Sequence, residues 1–176
     1  PIINKSPQDA QSHGISTVYQ EVNLCPNLSV AENLFIGREP RKFGFIDWHT
    51  MNKKATELLK SLDIDARATD KLEECSLAKQ QMIAIARAVD MKCQVLILDE
   101  PTRGIDVGAK FEIYKMITEL AEEGVGIIFI SSELPEILNL STRVITMHEG
   151  QKTGELAREE LSEELVLKYA TGGANK

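Results

Sequence analysis

Two adjacent carboxylates, Asp99 and Glu100, close the apolar run Val95-Leu96-Ile97-Leu98 and precede Pro101-Thr102. A run that is apolar on both faces is the pattern of a strand buried in a parallel sheet. Such a strand delivers both acids at its C-terminal end, where ligands of open α/β sheets bind. One carboxylate can hold Mg²⁺, directly or through water. The next points differently and can polarise a water for attack on a terminal phosphate. Taken alone, the pair also reads as an ordinary strand end with two solvated acids.

The elements around the pair must position it. Gly14–Tyr19 is a short β-branched run that predicts a strand. Residues 25–47 are rich in Pro, Asn and Gly and predict loops with one short helix near Val30–Leu34. Met51, Ala55, Leu58, Leu59 and Leu62 recur at helical spacing, so a helix is expected from Asp47 or Thr50 to Leu62. A second runs from Ser76, a plausible N-cap, to Val89. Asp106 can cap a helix that carries Ile113, Ile117 and Leu120 and stops at Gly124. Gly126–Ile130 reads as another buried strand, and Arg143–Met147 as a third. A short helix starts near Glu133, with Pro135 in its first turn. Glu149-Gly150 turns the chain into Gln151–Leu156, and a last helix spans Ser162–Ala170. Strands alternating with helices predict an α/β fold with a parallel sheet.

Bulk properties narrow the function. The 176 residues fit one domain. A net charge of −7 argues against non-specific nucleic-acid binding, which needs a basic surface. No apolar run approaches the roughly 20 residues that span a bilayer, and residues 1–12 are polar, so a cytoplasmic location is expected. Cys25, Cys75 and Cys93 have no C-x-x-C spacing and read as small buried or half-buried thiols. His13, His49 and His148 read as loop residues, and Trp48 as an anchor of the helical segment.

The segment Val95–Thr102 resembles the Walker B motif of ATP-binding cassette (ABC) ATPases, and Arg103-Gly104-Ile105-Asp106 resembles their D-loop. Upstream, Thr17-Val18-Tyr19-Gln20-Glu21 resembles their Q-loop. Between them, Cys75–Ala88 resembles the family signature and its helix. Order and spacing match, and the resemblance runs from about Gly14 to Gly173. Tyr19–Leu24, Ser29–Pro40, Glu100–Lys110 and Ser131–Glu136 look, more narrowly, like the monosaccharide-import ATPases.

That resemblance implies a P-loop NTPase-like parallel sheet with an inserted α-helical subdomain. Residues 1–22 and 91–176 would form a RecA-like core, and residues 23–90 the helical part. It implies ATP and Mg²⁺ as cofactors, with Asp99 and Gln20 at the metal. Glu100 would activate water, assisted by Gln20 and Ser132. Ser76, Leu77 and Ala78 would face the nucleotide of a partner cassette, and Asp106 would communicate across the dimer. Implied partners are membrane permease subunits of a sugar importer, a second cassette and, indirectly, a sugar-binding protein. The location would be peripheral on the inner face of the membrane, with the permease docked near residues 21–39.

Departures from the family pattern set further expectations. No G-x-x-x-x-G-K-[ST] stands in the sequence, so the Walker A loop that cradles phosphates is missing. The sheet is then expected to be incomplete, with exposed edges. The chain is expected to be a fragment, an expressed piece or a truncated gene product, with poor ATP binding. The signature L-S-G-G-Q appears as Cys75-Ser76-Leu77-Ala78-Lys79. A Cβ at Leu77 and Ala78 should weaken contact with phosphate. Ser132 stands where the family has a switch histidine and reads equally as a helix N-cap. The signature resembles a first cassette, whereas Arg103–Lys110 and Ser131-Ser132 resemble a second, as if a deletion had joined them. The competing reading is a non-catalytic docking or half-site module.

Overall fold

In chain order the first part of the structure runs α1 (Pro7–Ser12), β1 (Ile15–Val18), α2 (Val30–Phe35), β2 (Arg41–Lys42), β3 (Phe45–Ile46), α3 (Trp48–Ser61), α4 (Leu77–Asp90), β4 (Val95–Asp99), α5 (Val107–Glu122) and β5 (Gly126–Ile130). It then continues through α6 (Leu134–Leu140), β6 (Arg143–His148), β7 (Gln151–Ala157) and α7 (Glu163–Ala170). This computed structural model describes residues 5–20 and 23–173. Two compact units form, Pro1–Ile130 and Ser131–Lys176.

In the first unit, β1, β4 and β5 make a parallel sheet with β4 in the centre. Alternation along the strands sorts residues onto two faces. Leu96 and Leu98 are fully buried among Ile83, Ile85, Ile113 and Leu120, in the core supplied by α4 and α5. The other face is not covered in the same way. Ile128 and Ile130 remain 51% and 47% exposed, and their register partners Ile97 and Asp99 are only half-buried. The expectation that β5 is a buried strand is therefore corrected. Its apolar pattern is that of a buried parallel strand, but only one of its faces is packed.

The middle of the unit is mostly helical. α3 buries Met51, Ala55 and Leu59 on one stripe, and Asp47 caps it by accepting from the Thr50 amide at 3.0 Å. α2 opens with a reciprocal capping box between Ser29 and Glu32. Arg38 joins the ends of two helices, donating to Leu34 O at 2.7 Å and to Asp90 Oδ2 at 2.6 Å. The stretch expected to be loop also holds the hairpin β2–β3, joined by the two residues Phe43 and Gly44.

In the second unit the expected third strand does not extend the parallel sheet. β6 pairs antiparallel with β7 through Glu149-Gly150. Both turn residues have positive φ, 47° and 77°, which suits a two-residue hairpin. Val144, Leu156 and Val166 are buried in this unit. Gly154 allows close packing there. A Cβ on it would lie 2.7 Å from Tyr169 Cγ and 2.8 Å from Thr146 Oγ1.

Four single-residue expectations are corrected. His49 lies within α3 and His148 ends β6, so neither is a loop residue. Trp48 is 51% exposed at the start of α3 and anchors no core. The N-cap residue of α6 is Glu133 rather than Ser132, and the Glu133 amide donates to Ser131 Oγ at 3.0 Å. Cys25 and Cys75 are half-buried and Cys93 is buried, and burial raises the thiol pKa of both Cys75 and Cys93.

Candidate functional site

The parallel pairing of β1 with β4 brings two chemically different chain segments to the same end of the sheet. Val18 stands opposite Leu98, so Tyr19 and Gln20 leave β1 beside Asp99 and Glu100. An open cleft of about 430 Å³ lies there, lined by Tyr19, Gln20, Asn23 and Asp99. Gln20 is exposed and Asp99 half-buried. A carboxylate and an amide oxygen at one cleft are hard oxygen donors. That set suits Mg²⁺, which is usually held by one or two carboxylates with the substrate's own phosphates completing the shell.

Glu100 follows in an unusual backbone state. Its φ is +48°, in the left-handed region that glutamate seldom adopts. The conformation is held from both sides, with the Glu100 amide donating to Ile130 O at 2.9 Å and Glu100 O accepting from the Arg103 amide at 3.2 Å. A strained residue fixed by its neighbours at a ligand cleft is the pattern of a functional position. The bend at Glu100 breaks the strand alternation, so its carboxylate does not continue the direction set by Leu98. Pro101 and Thr102 are buried directly behind it.

A second grouping joins the start of α4 to the loop before α5. Ser76 is exposed and caps α4, accepting from the Lys79 amide at 3.3 Å. Leu77 is 46% exposed, whereas Ala78 is buried at 4%. The two residues therefore differ. Leu77 presents its side chain at the surface, and the Ala78 methyl is part of the core. A Cβ built on Gly104 would meet Leu77 Cδ2 at 3.7 Å, so the 103–106 loop passes against this leucine. Asp106 ends that loop and caps α5 through the Ala109 amide at 3.0 Å. Lys79 pairs with Asp65 Oδ2 at 2.9 Å, a bond that raises the lysine pKa. Ser132 belongs to the second unit, where it is exposed just before α6.

Several contributors escape sequence reasoning. Tyr19 and Asn23 line the cleft. Asn33, 1% exposed, clamps the loop before α2: its Oδ1 accepts from the Cys25 amide at 2.7 Å, and its Nδ2 donates to Cys25 O and Ser29 O, both at 3.0 Å. An asparagine inside the apolar run Val30–Phe35 is the signal that could have found it. Arg87 donates to Asn23 O at 3.2 Å, and its pKa is lowered by burial first and by Arg38 second. Glu21 and Val22, part of the expected glutamine loop and docking region, lie outside the described residues, as do residues 1–4 of the expected core.

Comparison with known proteins finds a family and relatives for the chain. The family model described as ABC transporter matches residues 3–103. The ribose import ATP-binding protein RbsA of Shouchella clausii is 44% identical over 179 aligned positions, covering 98% of this chain and 36% of the relative. The galactofuranose transporter ATP-binding protein YtfR of Escherichia coli is 43% identical over 150, covering 85% and 30%. The chain thus spans about a third of the length of the curated relatives it matches. Among solved structures, the ADP conformation of MJ1267, an ATP-binding cassette of an ABC transporter, superposes with a TM-score of 0.78 at 26% identity, covering 96% of this chain and 72% of that one. A nucleotide-free ATP-binding cassette gives 0.80 at 24%, a likeness of fold. With parallel strands that end in an acid pair beside a glutamine, and a family model matched across most of the first unit, the chain belongs to the ABC transporter family.

Proposed function

We propose that this chain is part of the ATP-hydrolysing subunit of a monosaccharide importer. The observation that carries the reading is the shared cleft of Gln20 and Asp99, with Glu100 held in a left-handed conformation beside it. On this reading Asp99 and the Gln20 amide would hold the Mg²⁺ that accompanies ATP. Glu100 orients and polarises the attacking water, and Gln20 reports the terminal phosphate. Ser132 assists from the position of the switch residue. Bound Mg²⁺ supplies charge neutralisation on the phosphates. Ser76 and Leu77 face a second cassette's nucleotide, and Asp106 contacts that cassette. The likeness to ribose and galactofuranose import proteins supports a sugar as cargo.

On this reading a phosphate-binding loop, which these 176 residues do not contain, has to meet the cleft for ATP to be held. The sheet face around Ile128 and Ile130 is uncovered, whereas an all-parallel sheet ordinarily has both faces covered. Residues 23–90 act as the helical subdomain, with the permease docked near residues 21–39, and residues 1–22 and 91–176 as the core. The location is cytoplasmic, peripheral on the membrane, with a sugar-binding protein as an indirect partner and no nucleic acid.

A second reading has its own support. Leu77 is exposed where a glycine would let a phosphate approach the backbone, which favours a non-catalytic docking or half-site module. The test joins this chain to the phosphate-binding segment of a relative and compares ATPase rates with and without Glu100→Gln. Loss of a general base lowers the rate by about 10²–10⁴. An active parent that the substitution leaves unchanged removes Glu100 from its role. An inactive parent that still binds ATP favours the docking module.

A further inference from the structure

The most exposed large apolar side chains among the described residues are neither in the cleft nor on the sheet. They are Phe43, 91% exposed, and Phe45, 80% exposed, both at the tip of the β2–β3 hairpin. Next along the chain comes Trp48, half exposed, at the start of α3. The hairpin is well defined. Arg41 pairs with Ile46 and Lys42 with Phe45, and the Asp47 amide donates to Pro40 O at 2.8 Å at its base.

The turn residues are Phe43 and Gly44, with φ of 52° and 87°. A two-residue turn with both φ positive favours Asn-Gly or Asp-Gly. A phenylalanine in the left-handed region is strained. Its ring meets its own neighbour, Lys42 Nζ, 5.9 Å from the ring centroid. The fold therefore holds an aromatic ring in water, at a position where asparagine would be easier.

Charge accompanies the rings. The hairpin strands carry Arg41 and Lys42 and no carboxylate, Glu39 and Asp47 flank them, and Lys53 of the following helix lies 4.0 Å from Glu57. The hairpin is thus basic within a chain of net charge −7. Because Lys42 and Phe45 are directly opposed, and likewise Arg41 and Ile46, each face of the hairpin carries one cation beside one apolar side chain.

We infer that this hairpin is a membrane-surface anchor that inserts Phe43 and Phe45 into the headgroup region of an anionic phospholipid bilayer. Aromatic rings settle at the membrane–water interface, and basic residues beside them are drawn to the negative surface. The long lysine and arginine stems let both requirements be met together. The inference stands on the hairpin alone and needs neither nucleotide nor hydrolysis.

Sedimentation of the 176-residue chain with phosphatidylcholine vesicles, with and without phosphatidylglycerol, tests it. Binding is expected with the anionic vesicles, about tenfold weaker with neutral ones, and weaker as salt rises. The double substitution Phe43→Asn with Phe45→Ser should lower binding by about tenfold or more. Because asparagine suits the turn, the thermal midpoint should stay level or rise, which separates lost binding from lost folding. Ile128→Thr, on the sheet's exposed face, should leave binding unchanged. The inference is overturned if the hairpin variant binds anionic vesicles like the parent. It is equally overturned if Ile128→Thr abolishes binding, or if the hairpin variant loses affinity only for vesicles that carry a permease.

Discussion

Leu96→Ala and Ile128→Ala probe the two faces of the same sheet and should differ several-fold in cost. Leu96 is 0% exposed beneath α4 and α5. Its truncation removes buried carbons and leaves a cavity, at about 3–4 kcal/mol. Ile128 is 51% exposed. Complete burial of such a side chain contributes roughly 1.5–3 kcal/mol, so half-burial contributes about 1 kcal/mol, and an open surface adds no cavity term. Urea unfolding followed by far-ultraviolet circular dichroism reads the difference. With a slope of about 1–3 kcal/mol per molar, Leu96→Ala lowers the midpoint by more than about 1 M, and Ile128→Ala by a third of that. Equal losses would refute the assignment of one packed and one uncovered face. If a further polypeptide layer covers that face in a longer protein, the cost of Ile128→Ala there should rise toward that of Leu96→Ala.

Other sites give independent checks. Asn33→Leu strands the Cys25 amide, while Cys25 O and Ser29 O keep the Leu28 and Asn33 amides, costing about 1–3 kcal/mol; hydrogen exchange should accelerate between residues 23 and 29. Gly154→Ala forces a methyl against Tyr169 and Thr146, so the second unit should lose about 1–3 kcal/mol and tyrosine near-ultraviolet dichroism with it. The Thr50 amide, followed by the Thr50 hydroxyl, holds the Asp47 carboxyl below the usual range. Its folded pKa is depressed, so its stabilisation is present above the unfolded value near 3.9 and is lost as pH falls through the folded one. Asp47→Asn keeps an acceptor without a titrating group, so acid titration should show the variant gaining on the parent below about pH 4. An unchanged acid profile would contradict that assignment.

Legibility in the sequence followed the strength of each physical signal. The helices with apolar stripes, α3, α4 and α5, were expected within a residue or two of where they lie, because Met51, Ala55 and Leu59 or Ile113, Ile117 and Leu120 mark one face. α1 was missed because it buries no residue, although Ser6 and Pro7 spell a helix start. The β2–β3 hairpin was missed because its strands have two residues each and its turn carries Phe where Asn belongs. The pairing of β6 with β7 rather than with the parallel sheet is a tertiary choice that strand patterning does not encode. At the site, adjacency of Gln20 and Asp99 follows from two motifs at the ends of β-rich runs. The left-handed backbone of Glu100 does not, since glutamate has no preference for it. The opposite fates of Leu77 and Ala78 depend on how α4 is rotated against the core, which a two-residue motif cannot specify.

The division of labour between neighbouring carboxylates is tested most directly by electron paramagnetic resonance of Mn²⁺ in the presence of ATP, using this chain joined to a relative's phosphate-binding segment. Asp99→Ala should weaken Mn²⁺–ATP binding by about 10–100-fold, and Glu100→Gln should leave it within about twofold of the parent. Equal Mn²⁺ affinity in the parent and Asp99→Ala would contradict the assignment of metal to the end of β4.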